Sequence, residues 1–461
     1  MAVISHEKDI EMAKKLAEKV RARGGNAYYV GGYVRDKLLG IENKDIDIEI
    51  HGIDADSLAK ILDSLGKRYT MGESFGIFAL KGYGLDIAMP RRERAVGTGH
   101  RDFATFTDPH LGTYEAAKRR DFTVGALMMD VLTEEVTDHF GGIEDLKNGI
   151  LRHVCTDTFT EDPLRVLRLA QFAARFEFTP TEETVSLCRT MDLSSLSRER
   201  VWEELRKALL KAKRPSVFFK VLRDTQRLGE WFPEVFDLIG VQQNPTYHAE
   251  GDVFTHTMMV LDEAAKYREE ASDPFGFMLT ALCHDFGKAI CTKTIKGKLC
   301  SHGHETLGLP LVELFLLRLT NETRLVGYVL ELTEHHMRPN AIAAFGSSVK
   351  ATNKMYDSVS VPKDLFYFAK ADHFGRICEK DSVFHEDFLL ERLKIYEETM
   401  AEPHVTGKDL LAAGLKPTPQ FSALLAYAHK LRLACVNKQE ALRQTLAYAR
   451  ELEKSKPKRK Q

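Results

Sequence analysis

Strand-like alternation is confined to the first third of this chain, and that limits the architecture more than any other feature of its sequence. From about residue 157 onward apolar residues recur at helical spacing through DPLRVLRLAQFAARF, ERVWEELRKALLKA and PSVFFKVLRDTQRLGEWF, while period-two segments nearly vanish. The expected fold is therefore α+β, an N-terminal mixed sheet with helices followed by all-α regions. At 461 residues the chain is too long for one core and implies two to four domains of about 150 residues each.

Within the N-terminal part, residues 6–24 carry helical apolar spacing. NAYYVGGYV gives a short β-rich run that ends in glycines, and RDKLLG then reads as helix. DIDIEI alternates charge and apolar residues as a half-buried strand does, and GIFALKGYGLDIAM predicts a hairpin turning near Gly82–Gly84. The basic stretch RRERAVGTGHRDFATFTDPHLG has no clean periodicity, and a mobile loop is expected over residues 91–108. A second boundary is expected at QQNPTYHAEGD, which is rich in turn residues and precedes a new helical block from about Val253. VTGKDLLAAGLKPTPQF then leads into a last apolar helix, to about Leu452.

Composition narrows the class. With 44% hydrophobic and 29% charged residues the chain reads as globular, and no apolar run approaches the roughly 20 residues of a membrane span. The N-terminus mixes acids and bases with its apolar residues and lacks the core of a secretory signal, so a cytoplasmic location and no membrane partner are expected. Seven scattered cysteines without a CxxC pair indicate neither a disulfide framework nor a zinc ribbon. A net charge of −2 removes the bulk basic signature of many nucleic-acid binders but leaves basic regions at 87–120 and in the tail KSKPKRKQ.

Chemistry first enters at VGGYVRDKLLGIENKDIDIEI. Asp45 and Asp47 are two apart on a strand, so alternation puts both carboxylates on one face. With a third acid from a neighbouring strand, for which Asp86 in GLDIAM is the candidate, they form an oxygen-rich site for Mg²⁺ ions that clamp nucleotide phosphates. The turn Gly31–Gly32 lets backbone N–H groups approach a triphosphate, and Arg35 offers a further charge. Downstream, EDPLRVLR spaces Asp162, Arg165 and Arg168 by three residues along one helix face. An arginine donates to cytosine N3 or adenine N1 and an aspartate accepts from their exocyclic amines, whereas uracil and guanine present the reverse pattern.

GGYVRDKLLGIENKDIDIEI, DIAMPRRE, RRDFTVGALMMD, FGGIEDL and EDPLRVLRLAQFAARF occur in the order and approximate spacing of class II tRNA nucleotidyltransferases and bacterial poly(A) polymerases. Over residues 25–235 the chain resembles that family. The resemblance implies a nucleotidyltransferase that adds CMP and AMP from CTP and ATP to tRNA, with Asp45 and Asp47 on the catalytic metals and the diglycine turn on the triphosphate. It further implies ribose and phosphate contacts from Arg119, Arg120 and Asp121, and base selection by Asp162 and Arg165 with Glu161 orienting them. Gly125 replaces the family's usual asparagine and His139 its usual proline, which keeps a degenerate RNA-binding relative as one alternative. A-only or poly(A) addition is another; the lack of a basic signature after the neck favours CCA over poly(A) addition, and the loop at 91–108 favours complete CCA or terminal A addition.

The C-terminal half holds a second constellation. His248, His256, the doublet His284–Asp285, His302, His304, His335–His336 and Asp372 are unusually dense, and imidazoles with a carboxylate from successive helices are what a divalent-metal site requires. The order H…HD…D across about residues 245–390 resembles HD-domain phosphohydrolases. That resemblance implies a metal of unspecified identity on His256, His284, Asp285 and Asp372, Lys288 beside the phosphate, and a second metal position using His304 and either His335 or His336. A decayed scaffold that only holds RNA is the alternative. The expected plan is an N-terminal helix (1–24), a nucleotidyltransferase head (25–150), a helical neck and body (151–240), an HD domain (241–390) and a helical tail (391–461).

Overall fold

The computed structural model describes residues 6–70, 77–95, 103–378 and 383–454. The chain divides into two compact units, Met1–Leu196 with Asp224–Arg227, and Ser197–Arg223 with Leu228–Gln461. In the second unit the helix Arg198–Lys211 packs on the helix Pro274–Cys283, with the Trp202 and Phe275 rings 4.8 Å apart, so the division falls at Ser197, inside the helical middle. No helix of the described residues is long and apolar enough to cross a membrane.

The first unit is built on a mixed seven-stranded sheet of β1 (Asn26–Val30), β2 (Ile46–His51), β3 (Arg68–Thr70), β4 (Ile77–Leu80), β5 (Leu85–Ala88), β8 (Met128–Asp130) and β9 (Val136–Thr137). Its order is β3-β4-β5-β2-β1-β8-β9. Every neighbouring pair is antiparallel except β2 and β5, which run parallel. The alternation of DIDIEI is realised in β2. Ile46, Ile48 and Ile50 are buried in the core while Asp47, Glu49 and His51 share the opposite face. The helices His6–Arg21 and Ala55–Leu65 bury Leu16, Val20, Leu58, Ile61 and Leu62.

The hairpin expected at Gly82–Gly84 joins β4 to β5. The stretch expected as a loop is ordered at its flanks, where β6 (Arg91–Ala95) and β7 (Phe103–Thr107) pair antiparallel from Arg91↔Thr107 to Ala95↔Phe103. Each flank is five residues long, enough to pair as a two-stranded ribbon; the centre of the expected loop, 96–102, lies outside the described residues, as do 455–461 of the basic tail. The remainder of the first unit is mainly helical, with Leu164–Phe176 its longest helix after His6–Arg21.

The second unit is almost wholly helical. The helices Val253–Ala264, Pro274–Cys283, Thr323–His335 and Pro362–Phe374 pack around one another and bury an apolar core that includes Phe254, Phe277, Leu279, Val329 and Phe368. One small hairpin interrupts them, β10 (Lys293–Ile295) with β11 (Lys298–Cys300). The C-terminal helices Gly407–Ala412, Phe421–Leu433 and Lys438–Lys454 close a separate small core around Leu410, Leu424, Ala428 and Ala441.

Candidate functional site

In the head, the parallel pairing of β2 with β5 sets Asp47 directly beside Asp86. Asp45 precedes β2 and is exposed, its N–H donating to Asn43 Oδ1 at 2.9 Å. Burial raises the pKa of Asp47, the neighbouring Asp86 and Asp45 raise it further, and Arg120 opposes them. Asp47 and Asp86 thus lie side by side on paired strands, with Asp45 just before β2 and Arg120 beside Asp47. Carboxylate oxygens are the donor type that suits a hard divalent cation, although among the described residues these three do not close into one tight ligand cluster as the second unit's do.

Gly31 has φ +64° and ψ −130°, a conformation that L side chains rarely adopt. A methyl group there would stand 3.4 Å from Arg120 Nη1 and 3.6 Å from Asp47 Oδ2, so the diglycine turn lies directly over both. Gly32 begins the helix Gly32–Leu38. Arg35, expected at the triphosphate, is buried with its guanidinium 2.6 Å from Asp36 and over the rings of Phe172 and Phe176. Its charge is thereby matched within the protein. A group the sequence reading missed is Glu49, which accepts from His51 Nε2 at 2.8 Å and lies 3.4 Å from Arg120 Nη2. Burial alone would raise its pKa, but His51 and Arg120 outweigh that and hold it low. The signal was present, since Glu49 extends the alternation of Asp45 and Asp47 by one further step.

The segment from Arg119 to Arg168 forms a linked set. Arg165 donates through Nη2 to the Arg119 carbonyl at 2.7 Å and through Nη1 to the Thr158 carbonyl, which orients its fork. Asp162 stands at the start of the helix Leu164–Phe176, its Oδ1 accepting the Leu164 N–H at 3.1 Å and its carbonyl the Arg165 N–H at 3.0 Å. Arg168 Nε donates to Asp121 Oδ2 at 2.6 Å, and the Phe122 N–H donates to Asp121 Oδ1 at 2.9 Å. Burial would raise the Asp121 pKa; the Arg168 charge and hydrogen bond reverse that. Gly125 is buried beside Asp121, and a methyl group there would meet Asp121 Oδ1 at 3.5 Å, ordinary contact. Glu161 is exposed, and His139 bonds to Thr113 Oγ1 at 2.9 Å.

The second unit brings its predicted residues together more tightly. His256 comes from the helix Val253–Ala264, Asp372 from Pro362–Phe374, and His284–Asp285 and His336 from the ends of Pro274–Cys283 and Thr323–His335. His256 Nε2 lies 3.3 Å from Asp372 Oδ1 and 3.5 Å from Asp285 Oδ2. His284 Nε2 is 3.2 Å from Asp285 Oδ2, and His304 Nε2 is 3.2 Å from Asp285 Oδ1. All are buried. The structure also chooses between the adjacent histidines: His336 Nε2 faces His304 Nε2 at 3.2 Å, while the surroundings of His335 are Arg338, Glu334 and the backbone of Ser358. His302 is exposed.

Two features fit this cluster to metal. The Nδ1 atoms of His284, His304 and His336 lie 3.0, 2.8 and 2.6 Å from the carbonyls of Ala281, Ser301 and Thr333. A carbonyl only accepts, so each Nδ1 carries the proton and each Nε2 turns a lone pair inward. His284 Nε2 is buried without a hydrogen-bond partner, and Asp285, although its Oδ2 lies 2.7 Å from the Lys288 ammonium, turns both oxygens toward these inward lone pairs, so a cation between them would satisfy donors that face no proton. The ligand atoms of His256, His284 and Asp372 all lie within 4.8 Å of one another, as do those of Asp285, His304 and His336. His336 is pushed down to about 3 by burial and by the neighbouring His284 and His304, and is neutral at ordinary pH.

Two further groups of the second unit were missed from sequence. Glu250 Oε1 accepts from His248 Nδ1 at 2.9 Å and lies 3.1 Å from His256 Nδ1, while its Oε2 accepts the Ile377 N–H at 2.9 Å. Gln243 accepts from Lys288 Nζ at 2.8 Å, on the far side of an ammonium that is 2.7 Å from Asp285 Oδ2. HAEGD carries Glu250 two residues from His248, but a carboxylate in a turn-rich segment has no sequence mark of its role.

Known proteins match the same regions. The Poly A polymerase head domain family matches residues 27–152, and the family described as a probable RNA and SrmB-binding site of polymerase A matches residues 177–239. The first match gives the sheet its class, a nucleotidyltransferase head. A multifunctional CCA protein of Chromobacterium violaceum is 39% identical over 319 residues, 68% of this chain and 74% of that one. Another, of Haemophilus ducreyi, is 35% identical over 364 residues, 77% and 84% of the two chains. The chain belongs to this family of tRNA nucleotidyltransferases, the multifunctional CCA proteins. Its fold matches that of the Thermotoga maritima CCA-adding enzyme complexed with tRNA, at a TM-score of 0.66 and 20% identity over 95% of both chains. A CCA-adding enzyme complexed with CTP matches at a TM-score of 0.66 and 20% identity, over 98% of this chain and 95% of that one.

Proposed function

We propose that the first unit adds CMP and AMP, from CTP and ATP, to the 3′ end of tRNA without a nucleic-acid template. The observation that carries this reading is the pairing of Asp47 with Asp86 beneath Gly31 and beside Arg120. The names of the relatives and of the solved structures support the choice of substrates. Magnesium held by Asp45 and Asp47, with Asp86 adjacent, would neutralise phosphate charge and favour attack by the tRNA hydroxyl. The backbone of Gly31–Gly32 and the guanidinium of Arg120 hold the triphosphate, Arg119 and Asp121 contribute to the ribose and phosphate contacts, and Arg35 acts from beneath by fixing the helix. Asp162 accepts from the exocyclic amine of C or A, and Arg165 donates to the ring nitrogen, while Arg168 holds Asp121 in place. The 3′-hydroxyl oxygen forms a bond to the α-phosphorus as pyrophosphate leaves.

The second unit, on this proposal, is a metal-dependent phosphohydrolase. His256, His284, Asp285 and Asp372 would hold one divalent metal, and Asp285 through its other oxygen would hold a second with His304 and His336. Bound metal would supply an activated water and neutralise the phosphate ester, with Lys288 beside it. The head is assigned to residues 25–150, the neck and body to 151–240, the HD region to 241–390 and the tail to 391–461, with tRNA placing the protein in the cytoplasm. The transferase reading is tested with tRNAs ending before CCA, after CC, and complete, each given CTP, ATP, UTP and GTP singly and together. Incorporation that stops at CCA supports it; continued A addition favours the poly(A) reading. The hydrolase reading is tested with 2′,3′-cyclic phosphates and 2′-nucleotides under Mg²⁺, Mn²⁺, Ni²⁺ and Co²⁺ in turn, and cleavage of none would leave a non-catalytic scaffold.

A further inference from the structure

The hairpin β10–β11 lies between two members of the buried cluster. The chain runs from Asp285 and Lys288 into Lys293–Ile295, turns, and returns through Lys298–Cys300 to His304. Its base is tied at the cluster: Thr292 Oγ1 donates to the Lys288 carbonyl at 2.6 Å and meets Ser301 Oγ at 2.8 Å, and the Ser301 carbonyl accepts from His304 Nδ1. Lys296 and Gly297 have φ of +50° and +77°, the left-handed pair that closes a tight hairpin. A two-stranded hairpin is marginal in water by itself, so the tie at its base is what holds this one in place.

Its chemistry is one-sided. Between Asp285 and Glu305 there are four lysines and no acid. Lys293, Lys296 and Lys298 are exposed, and none has an ion-pair partner among the described residues. The register pairs Ile295 with Lys298, and alternation puts Lys293 on the same face, so two ammonium groups flank an isoleucine that is 37% exposed. Three strand residues extend about 10 Å, more than one phosphate needs and enough to follow a strand away from its end.

Building on the phosphohydrolase reading above, we infer that this hairpin grips the phosphate backbone of a single-stranded RNA and aims its terminal phosphoester at the Asp285 cluster. Lys293 and Lys298 meet successive phosphates, Ile295 packs on the intervening ribose or base, and Lys296 extends the positive edge. The preferred substrate is therefore an RNA end, bound more tightly than a free nucleotide that reaches only the cluster.

The test uses the full chain loaded with divalent metal. Lysine acylation read by mass spectrometry, with and without a 3′-phosphorylated oligoribonucleotide, should show Lys293, Lys296 and Lys298 protected. Inorganic phosphate or a mononucleotide should leave them open. The triple variant K293Q/K296Q/K298Q should raise KM for oligoribonucleotide hydrolysis about tenfold with kcat kept, and lower the salt slope of log KM by roughly 1.4, at ~0.7 for each of the two phosphate contacts. Hydrolysis of a small aryl phosphodiester and nucleotide addition to tRNA should not change. Hydrolysis without protection of these lysines, or equal protection by polyglutamate, overturns the inference. Protection in a protein that cleaves no phosphoester overturns the hydrolase reading and leaves the RNA contact standing.

Discussion

The two units collect charged side chains in opposite ways. In the head, acids come to one face through strand alternation and one parallel pairing, and Asp45 and Asp86 remain exposed, open to a triphosphate that brings its own charge. In the second unit six ligand-type residues converge from separate helices into a buried cluster whose lone pairs face one another. An open site is completed by its substrate and releases it each cycle, whereas a buried one holds its ions as part of the fold. The head's metal should therefore arrive with nucleotide, and the second unit's metal should be resident.

Removing one acid from each site should separate the two activities most strongly. Asp47→Ala should lower C and A incorporation by about 10³-fold or more, the consequence of losing several kcal/mol of charge stabilisation, and leave phosphoester hydrolysis intact. Asp285→Ala should do the reverse, so a variant that lost both activities would join what the structure separates. Next in size is metal removal. If the cluster binds at 1,000 times its Kd, chelation should cost the second unit about 4 kcal/mol, a fall of roughly 10 °C in its calorimetric transition. The transition of the first unit should stay put, and equal shifts would contradict resident metal in one unit only.

Smaller effects sharpen the same contrast. Asp162→Ala should cost roughly 1–3 kcal/mol of base discrimination, read as misincorporation of U and G in single-nucleotide assays. Unchanged rejection at an undiminished rate with CTP would place base reading elsewhere. Glu250→Gln keeps the size of the group that faces His248 and His256 but weakens its grip on them. Metal affinity should fall about 10- to 100-fold, the usual effect of an outer partner, and titration calorimetry of the metal-free chain would show it. No change would make Glu250 a group that acts only on the Ile377 backbone.

Much of the head was legible because its site is local. Asp45, Asp47 and the diglycine turn lie within seventeen residues, and period-two alternation is enough to put Asp47 and Glu49 on one face. The burial of Arg35 was not legible, since its partners Phe172 and Phe176 sit more than a hundred residues away on another helix. Nor was the ribbon at Arg91–Ala95 and Phe103–Thr107, because its first strand, RRERA, offers no apolar alternation to mark it as a partner for the second. In the second unit the ligand types could be read but not their company. His335 and His336 differ by one helical step of about 100°, and only the packing of the helix Thr323–His335 decides which of them faces the cluster.

Anomalous scattering from crystals grown with Mn²⁺, measured without nucleotide and with CTP, tests the central contrast most directly. Two resident peaks are expected beside Asp285 in both crystals, one reached by His256, His284 and Asp372 and one by His304 and His336. A further peak should stand between Asp45 and Asp47 only when CTP is bound. Density at the head without nucleotide at equal strength, or none beside Asp285, would contradict the division between an open site and a resident one.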